Sequence, residues 1–443
     1  MTIDIARHLM VDFTQMKTFA ENPLVLESGE GIRVTDNLGR TYIDGLSGVF
    51  TSNLGHGNPE IADALAVQAR QLAFGAPTLG TNTRAAELVE RLLALVPPQF
   101  ATVKLLSGGS EANEAAIKVA RQYHKQTGNA AKYKILSHYR GYHGGTGNAL
   151  AASGWAGWKN AFEPLPAGFV HLHTPDADSP PHPAMSTEQA AEAYIRLLRA
   201  TVELEGPETI AAIITEPILM SAGVVVPPDS YMRALREVCD EHNILLIFDE
   251  IITGFGRTGK WFGAEHPDVW PDIFCCGKGV TGGYSPLSIV FMADRVAEPF
   301  WGEPGTQLFA GHTYGGNPVA CAAALAALEH MQAYDIVGQS DRTGTYLRER
   351  LGRLAERHPE IVLVRGRGML QGIVFDQDSF APRATRRIGL DVAAQARRRG
   401  LLLRAAPWFV AIAPPLVATT SDIDVILDII GRSIEAVEHP RGI

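Results

Sequence analysis

Four short apolar runs in this chain each stop at residues able to do chemistry. VKLL (103–106) gives way to Ser107-Gly108-Gly109-Ser110 and a helical pattern, and AAIIT (211–215) to Glu216-Pro217. ILLIF (244–248) is followed by Asp249-Glu250, and IFCC (273–276) by Gly277-Lys278-Gly279. Small residues opening a helix let backbone N–H groups approach an anion, so Gly108, Gly109 and Ser110 form a candidate phosphate cradle. Asp249, after five apolar residues, is costly to bury alone and needs a cationic partner. Lys278 lies between glycines that leave room around its amine, and a partly desolvated lysine is a nucleophile toward aldehydes. Taken singly, each feature also fits a plainer role: a strand-to-helix turn, a structural ion pair, a solvated loop lysine. If the runs are parallel strands, however, all four ends face one edge, where open α/β sheets bind ligands. GK[ST] is missing, as is GxGxxG with a suitably placed acid, so neither a P-loop nor a dinucleotide fingerprint is present.

The elements that must position these groups follow from periodicity. Residues 24–44 alternate apolar and polar around glycine-rich turns and predict short antiparallel strands. From about residue 60, helical patterns at 60–74, 84–95, 111–126, 187–204 and 230–242 alternate with the runs above and with KIL (134–136) and LSIVFM (287–292). Strands spaced by helices imply crossover units and a largely parallel sheet. Ser186 with Gln189 predicts a capping box, and Ser421 with Asp424 is expected to open a last helix. That helix carries Ile423, Ile426, Ile430, Ile434 and Val437 on one face. A helix near 318–333 leads into strands around 361–376 and 401–413. The N-terminal strands are expected to join that C-terminal part. This predicts a large domain over 60–330 and a small α+β domain built from 1–59 and 331–443.

At 443 residues, with 46% apolar and 20% charged, the chain has the make-up of a globular protein of two or three domains. A net charge of −9 argues against nucleic acid or an anionic membrane as partner. The four cysteines (Cys239, Cys275, Cys276, Cys321) have no CxxC spacing, which predicts neither a disulfide framework nor a metal site. With no apolar run near 18 residues and acids in the opening MTIDIARHLMVDF, the expected location is cytoplasmic.

In combination, IDGLSGVFTSNLGHGNP, SGGSEANEAAIKVAR, GYHGGT, TEPI, IFDEIITGFGRTGKWF, CGKGVTGGYSPL and GHTYGGNP resemble, in order, the class III pyridoxal-phosphate-dependent aminotransferases. The resemblance spans nearly the whole chain, to APPL (413–416). It implies fold type I: a large domain with a mostly parallel seven-stranded sheet plus a small α+β domain. It implies pyridoxal 5'-phosphate as cofactor, Lys278 as its Schiff-base lysine and proton carrier, and Asp249 as partner of the pyridine nitrogen. Tyr142 would stack on one ring face and Ile251 press on the other, while Gly108, Gly109 and Ser110 hold the phosphate. Glu216 would stand near the ring hydroxyl and the substrate. His143 lies in the cofactor shell, where it and Arg257 read as structural. Thr313 of the partner subunit would reach the phosphate, making a homodimer the minimum unit, with a tetramer as the larger alternative.

Relatives that use 2-oxoglutarate carry an arginine in the strand before Pro-Pro-Leu, and its place here falls on Ala411. Arg404 instead matches the mobile arginine of pyruvate-coupled amine and ω-amino-acid transaminases, able to clamp a carboxylate and then move aside. Phe50 falls where those relatives place a side-pocket aromatic, and Leu79 would approach from the second subunit, with Phe13 and Trp155 as further aromatic candidates. The implied reaction moves an amino group from β-alanine, taurine, a diamine or an arylalkylamine to pyruvate. The same motifs would also serve a decarboxylase, racemase or aminomutase, and a non-catalytic binding protein of this fold is the remaining alternative.

Overall fold

The computed structural model describes residues 8–182, 184–375 and 387–438. Near the start, β1 Leu26–Glu30, β2 Arg33–Asp36 and β3 Thr41–Asp44 form the antiparallel meander that alternation and glycine turns predict. The main sheet follows: β4 Phe100–Leu106, β5 Lys134–His138, β6 Phe169–Leu172, β7 Ile210–Thr215, β8 Leu245–Asp249, β9 Ile273–Cys276 and β10 Ser288–Ala293. Its order is β4-β10-β9-β8-β7-β5-β6. Every residue of β7, β8, β9 and β10 is buried, the demand that consecutive apolar residues make.

β5 to β9 are mutually parallel, and β10 runs antiparallel to both its neighbours. The stretch from Gly277 to Leu287 holds only the short 3₁₀ turn Lys278–Thr281, too little for a crossover helix, so β10 folds straight back beside β9. Two reversals restore the direction, and β4 points the same way as β9. The carboxyl ends of β4, β7, β8 and β9 therefore share one edge. β6 was outside the sequence expectation, because FVHL is a partly exposed edge strand without an apolar run.

The last strands are β11 Ile361–Arg367, β12 Leu370–Phe375, β13 Leu401–Leu402, β14 Arg404–Ala406 and β15 Phe409–Ile412, of which four form a C-terminal sheet in the order β11-β12-β15-β14. β13 belongs instead to the N-terminal sheet, where it pairs parallel with β3, Leu401 opposite Ile43, which ties the two chain ends together. Helix Thr187–Glu205 has the predicted capping box. The last helix, Thr420–Glu438, opens two residues earlier than expected: Thr419 Oγ1 accepts from Asp422 N–H and the Asp422 carboxylate accepts from Thr419 N–H. The correction is local: Thr419 and Ser421 each have an aspartate three residues on, and Asp424 is taken up instead by Tyr346, whose hydroxyl donates to it (2.9 Å). Ile423, Ile426, Ile430 and Ile434 are fully buried. No helix among the described residues is long and apolar enough to cross a membrane.

Arg257 joins these parts. Fully buried, it donates from Nη1 to Met369 O (3.1 Å) and Pro414 O (2.7 Å), and from Nη2 to Ser47 Oγ (2.8 Å) and Asn53 Oδ1 (2.6 Å). Its pKa is pulled down by burial to about 9. Arg257→Met would strand these acceptors and is expected to cost about 3 kcal/mol of stability, read as a lower urea midpoint.

Candidate active site

At the shared strand edge lies a cavity of about 170 Å³ lined by Gly109, Ser110, Asn113, Tyr142, His143, Gly144, Glu216, Ile218, Asp249, Ile251, Ile252, Thr253 and Lys278. β4 delivers its glycine–serine turn here as helix Gly109–Gln126 begins with Gly108 at its N-cap. A Cβ at Gly109 would stand 3.1 Å from Ile251 Cγ2, so the bare backbone keeps the cradle open. Gly144 has φ +139°, and a Cβ there would meet Ser110 Oγ at 2.5 Å. The loop after β5 can thus lie against the cradle, and Gly145 N–H donates to Ser110 Oγ (3.1 Å).

Asp249 ends β8, 5% exposed, and three donors satisfy its carboxylate. Asn113 Nδ2 (2.7 Å) and His143 Nδ1 (2.9 Å) reach Oδ2, and Ile251 N–H (3.1 Å) reaches Oδ1. His143 is itself buried, so this donor set can keep a charged carboxylate out of water. Strand alternation turns the next acid away: Glu250 accepts from Gly263 and Ala264 N–H and does not line the cavity.

Lys278 follows β9 with φ +42°, a left-handed backbone rare outside glycine. Burial lowers the pKa of its amine, against the pull of Asp249 and Glu216, which favours the neutral nucleophile. Glu216 directly follows β7, buried, and accepts from Tyr142 N–H (3.0 Å). Burial, with Asp249 nearby and His143 opposing, pushes its pKa up to about 7. Burial and Asp249 also raise the Tyr142 phenol, while Arg404 pulls it down.

The structure thus brings Gly109, Ser110, Tyr142, His143, Glu216, Asp249, Ile251 and Lys278 around one cavity, with Gly108 adjoining. Four other candidates stand elsewhere. Phe50 is buried one layer back, in an apolar cluster with Ile218, Phe409 and Ala411. Leu79 is 90% exposed, and Thr313 lines a separate groove of about 1400 Å³ with Thr78 and Gly80. Arg404 is exposed on β14, directly across from Ala411.

Sequence reading missed Asn113. It repeats with Ala116, Ile117 and Ala120 on the buried face of its helix, and a polar residue at such a position was the available signal. Its Oδ1 is buried without a hydrogen-bond partner. An anion cradle at a helix start, a buried carboxylate, a lysine inclined to neutrality and this free acceptor suit a phosphorylated aromatic aldehyde.

The family model for class-III aminotransferases matches residues 16–434. An (S)-enantioselective omega-transaminase from Thermomicrobium roseum superposes with a TM-score of 0.93 at 37% identity, covering 98% of this chain and 97% of that one. The taurine–pyruvate aminotransferase of Bilophila wadsworthia (strain 3_1_6) is 34% identical over 100% of both chains. The diaminobutyrate–2-oxoglutarate transaminase of Halomonas elongata is 33% identical over 96% of this chain and 92% of that one.

Proposed function

The chain belongs to the class-III aminotransferases, which use pyridoxal phosphate, and from that premise we propose that it transfers nitrogen from an amine or ω-amino acid to pyruvate. Donors of the β-alanine, taurine, diamine and arylalkylamine types fit this reading, each leaving as an aldehyde or ketone while pyruvate leaves as alanine. Relatives acting on pyruvate and on 2-oxoglutarate stand at nearly equal identity, so the acceptor is argued from residues.

One observation carries the argument. Arg404 and Ala411 are directly opposed in an antiparallel ladder, so their side chains share one face of the sheet. A guanidinium at 404 covers the face that one at 411 would serve. Ala411 is fully buried and keeps the inner position apolar, while Arg404 sits on an exposed edge strand and is free to swing. A charge that can leave suits an enzyme that must accept a carboxylate in one half-reaction and an apolar amine in the other.

When bound, the cofactor supplies an electron-accepting ring that stores the amino group between half-reactions. Gly108, Gly109 and Ser110 would hold its phosphate, Tyr142 and Ile251 its two faces, Asp249 its ring nitrogen and Lys278 its aldehyde. Nζ of Lys278 takes the proton from the donor's nitrogen-bearing carbon and returns it to the acceptor. His143 and Asn113 orient Asp249, and Glu216 keeps a protonatable carboxyl beside the substrate. The proposal includes a homodimer and the division into a 60–330 domain and a second domain from both chain ends. Leu79 and Thr313, exposed outside the cavity, support a second copy bringing them to the neighbouring site.

A donor panel run with pyruvate and with 2-oxoglutarate tests the reading, alanine formation being expected and glutamate formation counting against it. Arg404→Ala should raise KM for pyruvate and β-alanine by about 30-fold, the value of a charge-assisted pair of about 2 kcal/mol. For 1-phenylethylamine the change should stay within about threefold. Equal losses for all three would remove Arg404 from the carboxylate site.

A further inference from the structure

β14, which carries Arg404, has three residues and lies at the edge of its sheet. Its ladder is Arg404–Ala411, Ala405–Val410 and Ala406–Phe409, closed by Pro407 and Trp408 at the tip. A hairpin this short does not hold its direction unaided. Gly389 N–H donates to Pro407 O (3.0 Å) and Phe375 N–H to Trp408 O (2.9 Å), which secures the backbone of the turn. The side-chain anchor is at Trp408. Its ring lies 5.5 Å from that of Trp155 at an interplanar angle of 31°, and Arg140 places its guanidinium carbon 5.8 Å from the centre of each.

This contact is built on the cavity side as well. Trp155 Nε1 donates to Arg140 O (2.9 Å), and Arg140, at φ +64°, donates its N–H to Gly154 O (3.2 Å). Among the described residues no carboxylate pairs with the Arg140 guanidinium, so the two indole faces are what receives its charge. From Trp155 the rings continue through Trp158 (5.9 Å) to Tyr142 (5.2 Å, edge to face), which lines the cavity.

We infer that Trp408, clasped by Trp155 and Arg140, is a positioning residue that fixes the Arg404 hairpin relative to the cavity and so sets recognition of the carboxylate-bearing substrate. The inference rests on the reading of Arg404 as the carboxylate clamp. Trp408 touches neither substrate nor cofactor on this account. It limits where the base of a mobile side chain can stand, so that the guanidinium swings within reach of the site.

The test uses the purified holoenzyme and three variants. Trp408→Ala should raise KM for pyruvate about tenfold while kcat and the half-reaction with 1-phenylethylamine stay within about twofold. Trp408→Phe, which keeps a ring against Trp155, should bring KM back to within about threefold of the parent. Arg140→Met leaves the hairpin sequence intact and should raise it about threefold. Independently of activity, hydrogen exchange at residues 404–406 should quicken in Trp408→Ala and Arg140→Met and leave β7 and β8 unchanged. Unchanged exchange, an unchanged pyruvate KM, or an equal rise for pyruvate and 1-phenylethylamine would overturn the inference. If Arg404→Ala raises the pyruvate KM and Trp408→Ala does not, the pin alone fails. An unchanged pyruvate KM in Arg404→Ala overturns the clamp itself, and the inference with it.

Discussion

Lys278→Ala is expected to lower transamination by at least about 10⁴-fold, with the amino group transferred from 1-phenylethylamine to pyruvate as the measured reaction. The size follows from the absence of a substitute. Among the residues lining the cavity, His143 already spends Nδ1 on Asp249, and Glu216 accepts from the Tyr142 backbone. Neither is an amine that could bond to an aldehyde and also shuttle a proton. The chain accepts local strain to hold Lys278 there. Its φ is +42°, and at the following Gly279 a Cβ would come 2.2 Å from Asn53 Nδ2. Alanine should fit the same backbone, so the phosphate cradle should still bind the cofactor without covalent attachment. Borohydride treatment followed by mass spectrometry checks this: the parent should carry the cofactor on the peptide containing residue 278 and the variant should not. Activity within a hundredfold of the parent would remove Lys278 from its proposed role.

The ends of the parallel strands were legible in the sequence because β7, β8 and β9 are apolar runs that stop abruptly, and a parallel sheet sends those stops to one edge. That reasoning delivers Glu216, Asp249 and Lys278 without a structure. It also separates Glu250 from Asp249 once alternation is applied, since Glu250 turns toward Gly263 and Ala264. Asn113 was harder to see because its signal is one polar residue inside a helix rich in alanine, with no motif of its own. The pairing of Arg404 with Ala411 was out of reach, because register depends on a tight turn at Pro407 and Trp408 and spacing does not reveal it. Phe50 shows the same limit. It sits at φ +61° and packs in the buried cluster with Ile218, a backbone choice that residue type does not announce. Leu79 and Thr313 lie outside the cavity of their own chain, and a single sequence carries the chemistry of such residues without their destination.

Asp249→Asn is expected to depress turnover by about 10³-fold while leaving the fold intact. The carboxylate is built for charge. Two donors converge on Oδ2 and a third on Oδ1, and an asparagine of the same shape cannot receive all three. Wherever its amide nitrogen stands, it must face a group that also donates: the Asn113 amide and the His143 ring on one side, the Ile251 N–H on the other. His143 can relieve one conflict by moving its proton to the other ring nitrogen, so the geometry should survive where the charge does not. Stability should change little, because the substitution removes a buried charge as well as its hydrogen bonds. Activity should not recover, because a neutral amide no longer favours a protonated ring nitrogen in the cofactor. The measurement is the rate of the half-reaction with excess amine, beside urea unfolding of the same preparation. A loss below about tenfold would show that the cation is stabilised elsewhere. A large drop in unfolding midpoint would mean that Asp249 serves the core and not the chemistry. Asn113→Ala separates the two further, since it removes one donor and keeps the carboxylate. A loss of about tenfold is expected there, with charge retained but its position relaxed.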